Sequence, residues 1–304
     1  MPHPRVCIIL LNYNRCQDTI ACIESLRRCH DAPFQILIVD NASADQSEEI
    51  LRNRFPDIVV AQTGKNLGYT GGINFGIRRA RHMQPEYLLL LNNDTLVEPD
   101  FLHHLVEALQ QNRGAAAAGG TIYCEHDRQQ IWYAGGQLIP WRGLAVHEQK
   151  GATVARAALN GVRRVSFITG CMILLRASLL DEIGGEDERF FMYLDDIEFS
   201  ARIQAKGYDM LYVPRATIYH KVWGEKESAF KLYYSVRNRL LLINMAFGGL
   251  SRWIAGGYFS LVIGCKLVIW RFTNRPFFKA ATYGLQDYFA QRFYEGRGVS
   301  EFAQ

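Results

Sequence analysis

The sequence lacks the features that mark several classes of protein. Its seven cysteines are odd in number and never form a CxxC pair, so neither a disulfide framework nor a zinc knuckle is indicated. Basic and acidic side chains nearly balance at a formal charge of +4, which is too mild for a nucleic-acid-binding protein without a clustered basic stripe. We therefore expect a reducing compartment and no nucleic-acid partner.

The N-terminal part has no apolar run long enough for a signal peptide. The run Val6–Leu11 is too short for a signal-peptide core and ends at the polar Asn12, so we interpret it as a strand. A cytoplasmic protein is expected. Hydrophobic residues make up 49% of the 304 residues, which is enough for a sizeable core and argues against intrinsic disorder.

Short apolar runs alternate with helical stretches in the N-terminal part of the chain. The runs are Val6–Leu11, Phe34–Val39, Ile58–Ala61 and Tyr87–Leu91. This alternation predicts an α/β domain with a parallel sheet covered by helices on both faces. Ser43 and Gln46 have the capping-box spacing for the helix after the second strand. From about Gly119 to Arg164 the periodicity is poor, so we expect an irregular segment with short strands.

The last third of the chain differs in character, because aromatic, leucine and arginine residues mix from Ser228 onward. Trp253–Trp270 is nearly all apolar, but the stretch between Arg252 and Lys266 is shorter than the roughly 20 residues of a membrane-spanning helix. Aromatic and basic residues spread through this region favour an interfacial or re-entrant helix pair on an anionic membrane. A buried helical subdomain is the alternative.

Polar clusters follow three of the predicted strands: Asn12-Tyr13-Asn14, Asp40-Asn41 and Asn92-Asn93-Asp94. Ligands of such sheets collect at the carboxyl ends of the strands, so the clusters should converge on one crevice. Asp94 there could hold a Mg²⁺ or Mn²⁺ ion that neutralises a diphosphate, or it could simply begin a turn. His220, just past a strand-like run, could add an imidazole to the ion or contact the diphosphate.

Two further segments could carry chemistry. Glycines in the segment 66–74 could present helix N-terminal amides to a phosphate or sugar hydroxyl, or could serve only a tight turn with positive φ. Asp195 and Asp196 open a predicted helix directly after an aromatic stretch, where partial desolvation would raise a carboxyl pKa and suit it to accept a proton. Glu198 has the i,i+4 spacing of a simple ion pair with Arg202.

Six motifs in this order resemble family 2 glycosyltransferases of GT-A fold, over about residues 5–225. The motifs are Leu11-Asn12-Tyr13-Asn14, Asp40-Asn41-Ala42-Ser43, Asn66-Leu67-Gly68 with Gly71, Gly72 and Asn74, Leu91-Asn92-Asn93-Asp94-Thr95, Gly184-Gly185, and Tyr193-Leu194-Asp195-Asp196 with Arg202 and Gly207. Within that family the chain looks most like bacterial rhamnosyltransferases of cell-surface polysaccharide assembly. The resemblance implies a GT-A domain over residues 1–227, with a Rossmann-like, mostly parallel sheet, and a helical, membrane-associated region over 228–304. The nucleotide-binding half would end near residue 120 and the acceptor half would follow.

The resemblance also implies roles for single residues. Asp94 and His220 would be metal ligands, and Asp196 would be the catalytic base with Asp195 beside it. Asn92 stands where the first Asp of the DxD metal motif is usual, and Asp195 stands where Glu is usual. The predicted substrate contacts are Asn12, Asn14, Asp40, Asn41, Asn66, Gly68, Gly71, Gly72, Asn74, Asn92, Asn93 and Arg202.

These features together predict an inverting, metal-dependent glycosyltransferase. A base deprotonates the acceptor hydroxyl while Mg²⁺ or Mn²⁺ stabilises the departing diphosphate on the opposite face of the sugar. The expected donor is a nucleotide diphosphate sugar, with thymidine-diphosphate rhamnose as a family-level expectation. The expected acceptor is a glycan or a polyprenyl-linked glycan at the inner face of the cell membrane.

Two alternatives stay open. A nucleotidyltransferase would share the nucleotide-binding α/β half, but it would usually show a Gly-rich loop with Arg and Lys after the first strand, whereas Asn12-Tyr13-Asn14-Arg15 stands there. A non-catalytic nucleotide-sugar-binding scaffold at the membrane would keep the fold and lose the base. Turnover separates the scaffold from an enzyme, because a scaffold would release no nucleoside diphosphate.

Overall fold

Ten strands form one sheet that begins at Val6 and ends at His220, and three long helices follow it. The structure is a computed structural model that describes residues 5–29, 33–154, 159, 161–222, 228–298 and 301. The sheet is twisted and mixed, with a parallel part at one side. The predicted domain boundary between residues 227 and 228 lies beside residues 223–227, which are outside the described residues.

The parallel part contains the four strands expected from the apolar runs. Its elements are β1 (Val6–Asn12), α1 (Cys16–Leu26), β2 (Phe34–Asp40), α2 (Ser47–Arg54), β3 (Val59–Gln62), α3 (Gly68–Ala80) and β4 (Tyr87–Asn92). The strand order is β3-β2-β1-β4, and every neighbouring pair is parallel. Apart from a few end residues such as Val59, the strands are buried, which explains why their sequences are continuous apolar runs without alternation.

The second part of the sheet is mixed. Its elements are β5 (Thr95–Val97), α4 (Phe101–Gln111), β6 (Ala115–Cys124), β7 (Asp127–Tyr133), β8 (Gly136–Ile139), β9 (Leu144–His147), β10 (Arg163–Val165), β11 (Met172–Arg176), α5 (Leu179–Ile183), α6 (Asp195–Ala205) and β12 (Asp209–His220). β11 lies antiparallel between β4 and β6, and β12 runs parallel to β6. β8 and β9 form a separate two-stranded hairpin.

The prediction of an irregular segment from Gly119 is wrong for its first residues. β6 continues through Cys124, all ten of its residues are buried, and it lies between β11 and β12 in the sheet. Alanine and glycine have little strand preference, so this strand gives no signal in the sequence. The small residues are needed because a Cβ on Gly120 would lie 1.9 Å from the carbonyl oxygen of Ala216.

The predicted capping box is also wrong. α2 begins at Ser47, Gln46 adopts a left-handed conformation, and no side chain of Gln46 caps the helix. Ser43 instead donates to the Asp40 carboxylate at 2.7 Å and accepts from the Asn14 amide at 2.9 Å. Ser43 therefore joins the loops after β1 and β2, where local side-chain bonds compete with helix capping.

Three helices make up the C-terminal region: α7 (Ala229–Ala246), α8 (Gly249–Thr273) and α9 (Arg275–Phe289). The apolar stretch Trp253–Trp270 lies within one continuous helix, α8, of 25 residues, and α9 follows it after Asn274, so the interfacial or re-entrant placement of a helix pair stays a prediction. Its length and composition suffice to cross a membrane. Only Ala255, Phe259 and Ile263 of α8 are buried, so most of its apolar surface is exposed.

Gly120 in β6 gives a test of the fold. Gly120→Ala should lower the free energy of unfolding by about 1–3 kcal/mol, because β12 leaves no room for a methyl group. Gly256→Ala in α8 is the matched control, since a Cβ there meets nothing within 4 Å. It should leave stability unchanged or raise it by up to about 1 kcal/mol. Urea unfolding curves give the free energy of unfolding of both variants. Equal destabilisation of the two would contradict the close approach of β6 and β12.

Candidate active site

A cleft of about 560 Å³ opens between the carboxyl end of β4, the end of β12 and the start of α6. Asn92 and Asp94 line one side of it, Asp195 and Asp196 line another, and His220 closes it from β12. The structure thus brings together the predicted catalytic and metal-binding residues. The polar ends of β1 and β2 lie next to this cleft in the sheet.

Asn12 and Asp40 lie at paired ends of β1 and β2 and are hydrogen-bonded to each other. The Asn12 amide donates to Asp40 at 2.8 Å, and Asp40 also accepts from the Ser43 amide and the Gln62 side chain. Both residues are completely buried. They hold the loops of the crevice in place, and their predicted contact with the nucleoside stays a prediction.

The other asparagines of the predicted donor site join neighbouring loops. The Asn41 side chain donates to Asn66 at 3.0 Å and to the Gly68 carbonyl at 3.0 Å, so it ties the loop after β2 to the start of α3. Asn93 donates to Thr19 of α1 at 2.8 Å. Asn14, with positive φ, is exposed and accepts from the Ala44 amide at 2.7 Å.

The glycine-rich segment favours the tight-turn interpretation over phosphate binding. Gly68 has φ +72°, and a Cβ there would lie 2.5 Å from the Phe191 ring. The first amides of α3, those of Tyr69 and Thr70, donate to the Phe191 carbonyl, so they are not directed at the cleft. A Cβ on Gly72 would lie 2.5 Å from Leu11.

Asn74 also acts in packing, because its side chain donates to the Glu186 carbonyl and accepts from the Glu186 amide, both at 2.8 Å. A Cβ on Gly185 would lie 2.1 Å from the Asn74 oxygen, which accounts for that glycine. A Cβ on Gly71 would lie 2.7 Å from Leu67. These positions give Gly71 and Asn74 packing roles and provide no support for their predicted contact with substrate.

Asp195 and Asp196 begin α6, and their environments differ. Asp196 is partly exposed, and its carboxylate accepts from the Gly170 amide at 3.1 Å and from the Thr169 hydroxyl. Asp195 is 6% exposed, and burial together with the neighbouring Asp196 raises its pKa to about 8. Burial also raises the pKa of Asp196, although the bonds from Gly170 and Thr169 oppose the shift.

Glu186 is a buried acid that the sequence analysis did not single out. Burial, reinforced by Asp195 and Asp196, raises its pKa well above the usual range, and one of its carboxyl oxygens makes no hydrogen bond in the described part of the chain. In the sequence it looks like a surface acid, because charged residues follow it. Its position directly after Gly184-Gly185 is the signal that could have identified it.

Glu198 and Arg202 form the predicted ion pair, with 2.8 Å between Arg202 Nη2 and Glu198 Oε2. Arg202 also donates to the carbonyls of Ile183 and Gly185, so it ties α6 to the end of α5. Arg202 does not line the cleft. Its predicted contact with substrate therefore has no support from the geometry.

Asp94 and His220 meet because β5 pairs antiparallel with β12, which places Thr95 opposite His220. Asp94 Oδ1 lies 3.2 Å from His220 Nε2. Asp94 Oδ1 and His220 Nδ1 are both buried and make no hydrogen bond to the described residues. Two atoms this far apart can each lie about 2.1 Å from one divalent ion, so the pair fits a metal site.

His220 has neighbours that the sequence did not reveal. Trp132 of β7 packs against it edge to face with ring centres 4.8 Å apart, and Cys171 lies beside it. Burial opposes protonation of His220, but Cys171 and Asp94 together raise its pKa well above the usual range. The next residue, Lys221, forms a 2.8 Å ion pair with Asp18 of α1.

A group of three potential metal ligands lies elsewhere, on α4. His103, His104 and Glu107 have ligand atoms within 4.8 Å of one another, and it is the one such group in the described part of the chain. His104 is buried and lies 3.1 Å from Asp100. None of these residues lines the cleft that holds Asp94 and His220.

The sequence of the chain matches the family "Glycosyl transferase family 2" over residues 7–184. It is 26% identical to the N-acetylglucosaminyl-diphospho-decaprenol L-rhamnosyltransferase of Mycobacterium tuberculosis over 222 residues, which is 65% of this chain and 70% of the relative. It is 25% identical to the low-salt glycan biosynthesis hexosyltransferase Agl10 of Haloferax volcanii, over 79% of this chain and 76% of the relative.

Solved structures agree on the fold. The mannosyltransferase PcManGT of Pyrobaculum calidifontis, in complex with GDP-Man and Mn²⁺, superimposes with a TM-score of 0.58 at 14% identity and covers 95% of this chain and 88% of its own. GalNAc-T7 with UDP, GalNAc and Mn²⁺ gives a TM-score of 0.59 at 14% identity, over 88% of this chain and 58% of its own. The chain therefore belongs to glycosyl transferase family 2, and it is a glycosyltransferase of GT-A fold that transfers a sugar from a nucleotide-sugar donor.

Proposed function

We propose that this glycosyltransferase inverts the configuration of the donor sugar and transfers it to a polyprenyl-linked glycan. The observation that carries the proposal is the placement of Asp196 in one cleft with the Asp94–His220 pair. A single displacement needs one base on the acceptor side and a positive charge at the leaving group. Neither a nucleotidyltransferase nor a non-catalytic scaffold is favoured, because the chain belongs to a transferase family and keeps all three aspartates.

Asp196 is the proposed general base. Its carboxylate is held by the Gly170 amide at 3.1 Å and reaches the cleft, whereas Asp195 is almost fully buried. A pKa near 8 leaves Asp195 mostly protonated at neutral pH, so it adds little negative charge beside Asp196. A raised pKa of Asp196 also makes it a better proton acceptor than an ordinary exposed carboxylate.

Asp94 and His220 are the proposed ligands of a divalent ion. Such an ion, when bound, neutralises the charge that develops on the departing diphosphate. An imidazole ligand disfavours Mg²⁺, which prefers an all-oxygen shell, and suits a transition metal better. We therefore place Mn²⁺ ahead of Mg²⁺ as the cofactor, in line with the Mn²⁺ found with both structural relatives.

The donor sugar and the acceptor are inferred from the mycobacterial relative. Its name specifies transfer of L-rhamnose to a diphospho-decaprenol-linked sugar. By similarity, we infer a deoxythymidine-diphosphate rhamnose donor and a polyprenyl diphosphate-linked acceptor for this chain. Lys231 also lines the cleft and suits an acceptor that contains a diphosphate, whereas the second lysine of the lining, Lys221, is paired with Asp18.

The outer face of α8 supports attachment to a membrane that holds this acceptor. Leu250, Trp253, Leu261, Val268 and Phe272 are between 65% and 80% exposed. The charged side chains of α8 are all basic. Since α8 packs with its other face on α7 and α9, we propose that it lies along the inner surface of the membrane and does not cross it.

Metal dependence is testable at the proposed ligands. EDTA should abolish turnover, and Mn²⁺ should restore it at a lower concentration than Mg²⁺. Asp94→Ala and His220→Ala should each weaken rescue by added Mn²⁺ by roughly 10- to 100-fold, because each removes one ligand of the ion. The measurement is nucleoside diphosphate release over a titration of each metal.

His103→Ala is the matched control for the metal experiment. It removes a potential ligand from the α4 cluster and leaves the cleft intact. It should respond to Mn²⁺ like the unaltered protein. Full activity of the metal-free enzyme, or loss of the metal response in His103→Ala alone, would remove Asp94 and His220 from the metal role.

The general base is testable by replacement with an isosteric amide. Asp196→Asn should lower the single-turnover rate by roughly 10²- to 10⁴-fold, the usual contribution of general-base catalysis, with little change in donor Kd. In the unaltered protein the rate should fall as pH drops through the raised pKa of Asp196, because the base must be unprotonated. Asp195→Asn is the comparison. If Asp195→Asn loses turnover and Asp196→Asn keeps it, the base is assigned to the wrong aspartate.

Membrane attachment is testable by flotation with liposomes. Binding should strengthen with acidic lipid and weaken with salt, since exposed charges are screened over a Debye length of about 8 Å at physiological ionic strength. Leu261→Glu should weaken binding, whereas Val59→Glu, at an exposed position on β3, should not. Absence of binding to both neutral and acidic liposomes would favour packing of α8 against another protein surface.

A further inference from the structure

The segment from Phe190 to Leu194, which leads into the catalytic acids, is strained. Phe191, Tyr193 and Leu194 all have φ between 62° and 66°, a region that residues with large side chains rarely occupy. Around Phe191 the chain forms a tight three-residue turn, with the Met192 amide 2.7 Å from the Phe190 carbonyl. Such conformations are unfavourable for residues other than glycine, so the surrounding structure must hold this segment in place.

Helix α7 supplies the groups that hold it. The Asn238 side-chain amide donates to the carbonyls of Phe190, Met192 and Tyr193 at 2.8–3.0 Å. The Arg237 guanidinium donates to the carbonyls of Arg189 and Phe190 at 3.2 and 3.0 Å. Four backbone carbonyls in and next to the strained segment are thus bound by two neighbouring side chains of one helix.

These two side chains are fixed in turn. Arg237 and Asn238 are both 0% exposed, and Arg237 Nε donates to Asn238 Oδ1 at 3.0 Å, which orients the amide. The guanidinium lies 4.8 Å from the ring centre of Tyr234 and donates to the Tyr294 carbonyl. Burying a cation is costly unless it is fully bonded, so this arrangement specifies one geometry of the segment.

Phe191 connects the same segment to the sheet domain. Its ring stacks on Tyr234 with centres 5.6 Å apart, and ring atoms occupy the space left by the missing side chain of Gly68. The Phe191 carbonyl accepts from the first amides of α3. The segment is therefore held between α3 and α7, and it ends at Leu194, the residue directly before Asp195.

From this geometry we propose that Arg237 and Asn238 are positioning residues for the transfer reaction. They hold residues 190–194 in the one conformation that directs Asp196 to the Gly170 amide and into the cleft. Neither side chain touches the cleft, so they act through the backbone of the strained segment. The proposal rests on the proposed role of Asp196. It also makes α7, which lies beyond the matched residues 7–184, a part of the catalytic machinery.

The test is Asn238→Ala, which removes the donors to three carbonyls. The single-turnover rate with saturating donor should fall about 10- to 100-fold, because small displacements of a catalytic group cost this much. Donor Kd should stay within about twofold, since the asparagines at the ends of β1 and β2 are unaffected. The pH dependence of the rate should also shift, because Asp196 loses its fixed bond to Gly170.

Amide hydrogen exchange gives a readout that does not depend on activity. In Asn238→Ala, exchange should accelerate at residues 191–196 and stay unchanged in β1 and β4. Arg239→Ala is the matched control, because Arg239 donates to the Arg142 carbonyl and makes no bond to the segment. It should keep the rate within about threefold of the unaltered protein and leave exchange at 191–196 unchanged.

If Asn238→Ala does not fold, Arg237→Lys replaces it, since lysine keeps the charge and loses the planar fork. A normal rate in the folded variant would overturn the proposal. So would a rate loss that comes with global acceleration of exchange and with none confined to 191–196. If the unaltered protein releases no nucleoside diphosphate, the proposed function fails, and the exchange pattern still decides whether α7 holds the segment.

Discussion

The parallel pairing of β1 with both β2 and β4 determines where the polar groups of the cleft lie. In this register Asn12 stands opposite Asp40, and Leu11 stands opposite Asn92. Because both faces of these strands are buried, their apolar residues do not alternate, and the polar residues that end the apolar runs mark the carboxyl edge of the sheet instead. The apolar runs therefore form the core and end where Asn92 and Asp94 reach the cleft.

The acids in and near the start of α6 are distinguished by their surroundings and not by their order in the chain. Glu198 is paired with Arg202, whereas burial raises the pKa of Glu186 and of Asp195, which form no ion pair with a cation in the described part of the chain. Asp196 alone combines partial exposure with an amide donor from Gly170. Environments that separate the pKa values of neighbouring carboxyls assign different roles to residues of the same type.

Local patterns in the sequence predicted much of this architecture. Unbroken apolar runs identified β1 to β4, and acids after an aromatic stretch identified the start of α6. β6 was not predicted, because its run of alanine and glycine gives no periodic hydrophobic signal. The role of Asn238 depends on contacts with residues far away in the chain, so no local pattern contains it. The helical character of 228–304 was predicted, but the full length of α8 was not, because Lys266 interrupts the apolar run without breaking the helix.

The C-terminal helices are integrated with the transferase domain. α7 binds the strained segment before Asp195 through Asn238 and packs on both α8 and α9. A second contact joins them to the sheet domain, because a Cβ on Gly143 would lie 2.4 Å from Ile243 of α7. Helix α7 therefore binds the segment 190–194 and also packs against α8, the helix proposed to face the membrane. A lipid-linked acceptor held at α8 would meet the proposed base Asp196, whose position depends on α7, so membrane attachment and the position of the base both depend on α7.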